Sequence, residues 1–214
     1  MSIDQALFLL ANFQGTSLTE SLSAIERQII GHNIRDVERL CEARGIDDGF
    51  IESALGVKRV AGQINVIIHA AGILRSLSGI LEPGEKVESV SLGAGNTGKR
   101  FDLETNLRVA EYKFIDWQGG PEVIRQNATF KDFFELAEYE TTKRKYLYVV
   151  GTEHPLKFFN GGRSVKSVMS RHPLLLARLQ SKYGDQVQKV RDYYALKKHD
   201  VSICDVSPYI GRGQ

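Results

Sequence analysis

The chain has 214 residues, of which 42% are hydrophobic and 25% charged, as in a water-soluble globular protein of one domain with or without a helical extension. Its net charge of +2 is too small to indicate nucleic-acid binding by itself. The two cysteines exclude a disulfide framework, the opening Met-Ser-Ile-Asp-Gln is not typical of a signal peptide, and no run of about 20 apolar residues is present, so we expect a cytoplasmic protein without a membrane span.

The first 82 or so residues predict helices. Apolar residues from Leu22 to Leu40 are spaced as on one face of a helix, and Gly45 is expected to end it. A short helix should begin at Asp47-Asp48-Gly49 and run through Leu55, and a longer apolar helix should extend from about Val57 to Leu81. Pro83-Gly84 cannot continue a helix, so this region ends there.

The residues after Pro83-Gly84 predict strands and helices in alternation. Polar and apolar residues alternate from Val87, as in a strand, and a glycine-rich turn follows. In chain order we then expect strands at 100–104 and 107–117, a helix from Pro121, a strand at 146–150, helices near 172–183 and 185–197, and a strand at 201–206. This order predicts an α/β fold, with a mixed sheet flanked by helices and an N-terminal helical region at residues 1–57 before a main domain at residues 58–214.

Charged residues interrupt the most apolar of these strands. Glu111 and Lys113 are two residues apart, so their side chains point to the same face of the sheet. Asp102 lies on the preceding strand, and pairing of the two strands would bring its carboxylate beside Glu111. Burial of unpaired charges is costly, and two acids, a lysine and a divalent cation placed together would relieve that cost.

Such a cluster can bind a metal ion and act on a phosphate. The carboxylates of Asp102 and Glu111, with the backbone carbonyl of Tyr112, form a set of hard oxygen ligands suited to Mg²⁺, for which Mn²⁺ could substitute. A metal ion there could hold a phosphate and activate water, and Lys113 would orient the water and stabilise the developing charge. The alternative is an ordinary surface hairpin with an ion pair.

The arrangement resembles the PD-(D/E)XK nuclease superfamily, whose motif is an acid on one strand followed by acid-x-lysine on the next. Asp102 matches the first acid, with Phe101 where the family often has proline, and Glu111 and Lys113 match the second half. The predicted order of one helix, three strands, a helix and a fourth strand also matches the family core between residues 58 and 151. The resemblance implies a restriction-endonuclease-like fold and hydrolysis of phosphodiester bonds, in DNA rather than RNA.

The resemblance also implies partners and secondary site residues. Family members often place a polar side chain on the helix after the motif, where Gln126 is the candidate, and Arg125 could hold a phosphate. Lys99 and Arg100, beside the glycine-rich turn, could contact a DNA backbone. Many relatives act in restriction, repair or defence and work as homodimers, and the helices of residues 17–43 could either supply the interface or cap the core. Gln63 and His69 on the helix before the strands, and Glu82 and Glu85 near its end, are not clear matches to a family ligand.

Two alternative functions remain open. The chain could be a nuclease-fold binding or scaffold protein that does not cleave. It could bind nucleotides through Gly93–Lys99, which spells G-x4-G-K, although Arg100 stands where a P-loop has Ser or Thr and a strand is expected where a P-loop has a helix. Gly161-Gly162-Arg163-Ser164 is either the start of a helix or an anion site.

Overall fold

A computed structural model describes residues 2–93, 98–114, 117 and 122–211. Within it the chain divides into two compact units, Met1–Asn65 and Val66–Gln214. The boundary between them falls inside one long helix, α4 (Asp48–Ile80). The division predicted after residue 57 lies earlier along this same helix.

The N-terminal unit contains helices α1 (Ile3–Gln14), α2 (Leu18–Ile29) and α3 (Ile34–Arg44), followed by the first part of α4. Ser17 caps α2 by accepting a hydrogen bond from the N–H of Glu20, and Gly45 ends α3, as predicted, in the left-handed conformation. The prediction of a single helix from Leu22 to Leu40 is wrong, because the chain turns at Gly31, which has a positive φ, and Asn33 caps a new helix. The prediction of two separate helices between residues 47 and 81 is wrong, since α4 runs without interruption through Gly56.

Helix α4 is unusually long and apolar. Among the described residues it is the one helix that could cross a bilayer by length and composition, with a mean hydropathy of 1.3 over 18 residues. One such helix is weak support for a membrane protein, because the core helices of soluble proteins have the same length and composition.

The C-terminal unit is built on a five-stranded open sheet, so the α/β class is confirmed. The strands lie in the order of the chain: β1 (Val87–Val90), β2 (Leu103–Thr105), β3 (Arg108–Lys113), β4 (Arg144–Val149) and β5 (Ser202–Asp205). Strands β1, β2 and β3 pair antiparallel, whereas β3, β4 and β5 pair parallel, which makes the sheet mixed. The predicted strand at 100–104 is shorter and begins later, at Leu103, and the strand predicted at 107–117 is also shorter and spans Arg108–Lys113.

The helices of the C-terminal unit after the first three strands are α5 (Val123–Ala137), α6 (Glu153–Phe159), α7 (Val165–Val168), α8 (Pro173–Tyr183) and α9 (Val190–Lys197). The sequence analysis did not predict α6. Helix α7 begins directly after Ser164, so Gly161-Gly162-Arg163-Ser164 is the start of a helix, one of its two predicted roles. The sequence analysis also placed one helix at 185–197, where the chain forms a 3₁₀ turn at Gly184–Gln186 before α9. The order from α4 through β1, β2, β3 and α5 to β4 is the predicted one.

The sheet is packed on both faces. On one face, Val109 and Leu147 pack with the phenylalanines of α5 and with helices α6 to α9. On the other face, Ala110 and Tyr112 pack against Ile73 and other residues of α4. Alternate residues of β3 therefore enter opposite cores, as the period of a strand requires.

A buried ion pair closes the end of the sheet near β1. Arg108 donates to both carboxylate oxygens of Glu85, each at 2.5 Å, and to the hydroxyl of Tyr148 at 2.9 Å. The side chains of Arg108 and Glu85 are 3% and 0% exposed. Burial favours the neutral carboxyl, but hydrogen bonds from Arg108 and Thr105 outweigh it and lower the pKa of Glu85 to about 2.

We expect Glu85→Gln to lower the free energy of unfolding by about 3 kcal/mol, because it removes the buried counter-ion of the Arg108 guanidinium and leaves only the more exposed Glu82, at 3.3 Å. Urea unfolding at neutral pH would measure the loss. In the wild type, the contribution of the Glu85–Arg108 pair to the free energy of unfolding should decrease as the pH falls from the ordinary glutamate pKa of 4.5 toward about 2, because the carboxylate becomes protonated. Glu88→Gln, at an exposed glutamate paired with Lys143, is the control and should cost less than about 1 kcal/mol.

Candidate active site

The hairpin of β2 and β3 brings the first acid beside the second. Leu103 pairs with Ala110, so continuing the register by one residue places Asp102 next to Glu111. One oxygen of Asp102 accepts a hydrogen bond from the backbone N–H of Tyr112 at 2.9 Å. The carboxylate of Asp102 thus accepts a hydrogen bond of the kind that a backbone carbonyl of a neighbouring strand would accept. This bond fixes the carboxylate at the end of the hairpin.

Glu111 and Lys113 occupy one face of β3, as predicted, and that face is the one covered by α5. Lys113 forms an ion pair with Asp132, a residue of α5 whose side chain is only 9% exposed. Lys131 also approaches Asp132, at 3.3 Å from its second oxygen. We call Asp102, Glu111, Lys113 and Asp132 the carboxylate–lysine cluster.

The cluster carries more negative charge than its lysine neutralises. Burial and the charges of Asp132 and Asp102 raise the pKa of Glu111 far above its ordinary value. Burial disfavours the ammonium of Lys113, but Asp132 and Glu111 outweigh this effect and raise the pKa of Lys113. Lys113 is therefore a fixed cation at neutral pH, and Glu111 holds a proton unless another cation enters.

Asp102 has a second partner from helix α4. Nε2 of His69 lies 3.3 Å from Oδ1 of Asp102. Burial would raise the pKa of Asp102, but His69 and the Tyr112 N–H outweigh it and hold that pKa below its ordinary value. The ring of Phe114 packs edge-on against His69. A Cβ at position 72 would come within 2.5 Å of the same ring, so any residue larger than Gly72 would displace Phe114.

Two carboxylates of the cluster are ligands of the kind that hard divalent cations prefer. Asp102 and Glu111 supply adjacent carboxylates, and a cation between them would remove the repulsion that holds a proton on Glu111. Among the described residues, no group of three or more His, Cys, Asp and Glu side chains could hold a metal ion. The remaining ligands would have to be the predicted carbonyl of Tyr112, water and substrate, a mixture that is typical of Mg²⁺.

We expect the affinity for Mn²⁺ to rise about tenfold per pH unit between about pH 6 and about pH 8, because binding displaces one proton from Glu111. The sign follows from the raised pKa: the metal-free carboxyl is protonated in this range and the bound one is not. Isothermal titration calorimetry at several pH values would measure it. An affinity that does not change with pH would show that Glu111 is not a ligand, and Glu111→Gln should remove the dependence.

The other residues proposed from the sequence have partners elsewhere. Gln126 accepts a hydrogen bond from Arg163 at 2.5 Å, and Arg125 pairs with Glu122 at 2.9 Å. The guanidinium of Arg100 lies 4.2 Å from the ring centre of Tyr139, and the ammonium of Lys99 donates to the carbonyl of Val90. None of the contacts seen in the described residues joins these four side chains to the carboxylate–lysine cluster.

The glycine-rich turn does not lead into a helix. Residues 94–97 lie outside the described residues, but the chain from Gly98 to Asp102 is irregular and continues into β2. A P-loop needs a helix N-terminus at this point to face the phosphates. The described part of the loop therefore does not support the nucleotide-binding alternative.

The sequence analysis did not assign two residues, Asp132 and His69, to the site. Asp132 stands among Phe130, Phe133 and Phe134 on the buried face of α5, and an acid on such a face is the signal that identifies it. His69 was noticed but had no apparent partner, because its contact with Asp102 joins residues 33 positions apart.

Comparisons of the chain with protein-family models, with curated proteins and with solved structures gave no significant match.

Proposed function

We propose that this protein is a metal-dependent nuclease that hydrolyses phosphodiester bonds in DNA. The observation that carries the proposal is the convergence of Asp102, Glu111 and Lys113 at the end of one hairpin, with the acids adjacent and the lysine held by Asp132. Surplus negative charge in a buried cluster is costly, and proteins retain it where a cation or a reaction requires it.

The resemblance to the PD-(D/E)XK superfamily supports the same function. The acid precedes β2, the acid-x-lysine pair lies on β3, and the elements around them follow the order of the family core. A restriction-endonuclease-like fold therefore belongs to the proposal. A role in restriction, defence or DNA processing, a cytoplasmic location and a homodimer formed through residues 17–43 remain predictions from the same resemblance.

Each residue of the cluster has a distinct part in the proposed reaction. Mg²⁺ would be held by Asp102 and by Glu111 after Glu111 has lost its proton. Asp102 is oriented for this by His69 and by the N–H of Tyr112. The bound ion would polarise a phosphoryl oxygen and lower the pKa of water near it. Lys113, being protonated, would donate hydrogen bonds to the charge that develops on the phosphate as water attacks phosphorus and the bond to the leaving oxygen breaks.

The first test is cleavage of supercoiled plasmid by the full-length protein. Nicking with Mg²⁺ or Mn²⁺, and none with EDTA, is the expected result. Parallel reactions with single-stranded DNA and with RNA decide the substrate class. Absence of cleavage with every substrate and both metals would overturn the proposal and favour a nuclease-fold binding protein.

A further inference from the structure

A cavity lies beside the first turn of α5 and is lined by none of the cluster residues. Its volume is about 220 Å³. Its lining includes the cations Arg163 and Lys157, the aromatic rings of Trp117 and Phe158, and the side chains of His154 and Gln126.

The cations of this cavity lack acidic partners. Arg163 donates to Gln126, but over the ranges that the structure describes no carboxylate forms an ion pair with Arg163 or Lys157. Glu122 also lines the cavity, yet its charge is balanced by Arg125 at 2.9 Å. Burial lowers the pKa of Arg163, so its charge is partly desolvated and an anion would stabilise it.

The two aromatic rings of the lining are buried. Trp117 and Phe158 are 8% and 6% exposed, and their ring centres lie 6.0 Å apart in a tilted arrangement. Rings beside cations are the usual means by which proteins hold an unpaired nucleotide, since the base contacts the rings and the phosphate contacts the cations. A cavity of about 220 Å³ is on the scale of one small ligand, such as a single nucleotide, rather than a stretch of duplex.

We propose that this cavity binds one unpaired nucleotide of the substrate strand, with its phosphate at Arg163 and Lys157 and its base against Trp117 and Phe158. The inference rests on the proposed function, because it makes the nuclease selective for strands with a free end or an unpaired nucleotide. It also accounts for the position of Gln126, which orients Arg163 toward the cavity instead of contacting the cluster.

The only tryptophan of the chain reports on this cavity directly. Trp117 fluorescence would be titrated in EDTA with thymidine 5′-monophosphate, thymidine, inorganic phosphate, and a trinucleotide with and without a 5′-phosphate. We expect saturable quenching by the monophosphate at concentrations about tenfold or more below those needed for thymidine or phosphate alone. A preference for the 5′-phosphorylated trinucleotide would assign the site to a strand end, and equal binding of both trinucleotides to an internal nucleotide.

Arg163→Gln and, separately, Lys157→Gln should each weaken binding of the monophosphate about tenfold, as expected for loss of a charged hydrogen bond. Lys166→Gln, an exposed lysine outside this cavity, is the matched control and should bind as wild type. Lys157 is exposed, so its variant tests the site even if Arg163→Gln does not fold. Absence of quenching, or unchanged binding by both variants, would overturn the proposal. These titrations need neither metal nor cleavage, so their failure is distinct from failure of the nuclease assay.

Discussion

Replacing Glu111 by glutamine should reduce plasmid cleavage about 10³-fold or more, because the amide removes one of two anionic ligands from the proposed metal site. The change keeps the size of the side chain, so the loss would not come from an altered core. Rates of nicking at saturating Mg²⁺ and at saturating Mn²⁺ would measure the effect. Calorimetry on the same variant should show weakened Mn²⁺ binding, which separates loss of metal from loss of chemistry.

The same substitution should make the metal-free protein more stable. The pKa of Glu111 is raised in the folded state, so folding is most favourable when this group is neutral and loses stability as the pH rises. A permanently neutral glutamine escapes that cost, and we expect a gain of about 1 kcal/mol above neutral pH. Glu104→Gln on the adjacent strand is the control and should leave cleavage unchanged. Lower stability of Glu111→Gln together with normal cleavage would show that Glu111 is a structural residue.

Local patterns predicted the strands of the sheet well because alternation along a strand and the turn of a hairpin involve residues that are neighbours in the sequence. The alternation along β3 correctly assigned Glu111 and Lys113 to one face of the sheet and Tyr112 to the other.

The helix break predicted near Gly56 was wrong, because a local pattern does not show what the rest of the helix contributes. Glycine weakens a helix by about 1 kcal/mol, which flanking apolar turns can outweigh, and a local pattern does not show that outcome.

The residue pairs that sequence analysis missed are contacts between elements that lie far apart in the chain. The pairing of Lys113 with Asp132 joins β3 to α5, and that of Asp102 with His69 joins the hairpin to α4. Both contacts depend on how the helix is rotated about its axis when it packs on the sheet. Periodicity shows which face of a helix is buried, but not which residue of that face meets a given strand residue. Gln126 illustrates the limit, since it lies on the predicted helix but contacts Arg163.

Lys113→Met should lower the rate of cleavage about 10²-fold to 10³-fold while leaving Mn²⁺ affinity within about tenfold of wild type. In the proposed reaction the lysine donates to the substrate's developing charge and is not a metal ligand, so its loss should appear in kcat rather than in metal binding. Steady-state kinetics on a short duplex, with metal titrations in parallel, would separate the two. Because Lys113 is protonated throughout the neutral range, we expect its removal to leave the pH profile of the remaining activity unchanged in shape.

Lys131→Met provides a close comparison, since Lys131 approaches the same carboxylate, Asp132, from the more exposed side. If the cluster only balances charge around Asp132, the two substitutions should have similar effects. If Lys113 acts on the phosphate, Lys131→Met should retain nearly full activity, because its ammonium pairs with Asp132 and Glu135 on α5 instead of lying beside Glu111. Equal loss of activity in both variants would therefore reduce Lys113 to a structural cation and remove the group assigned to stabilise the reacting phosphate.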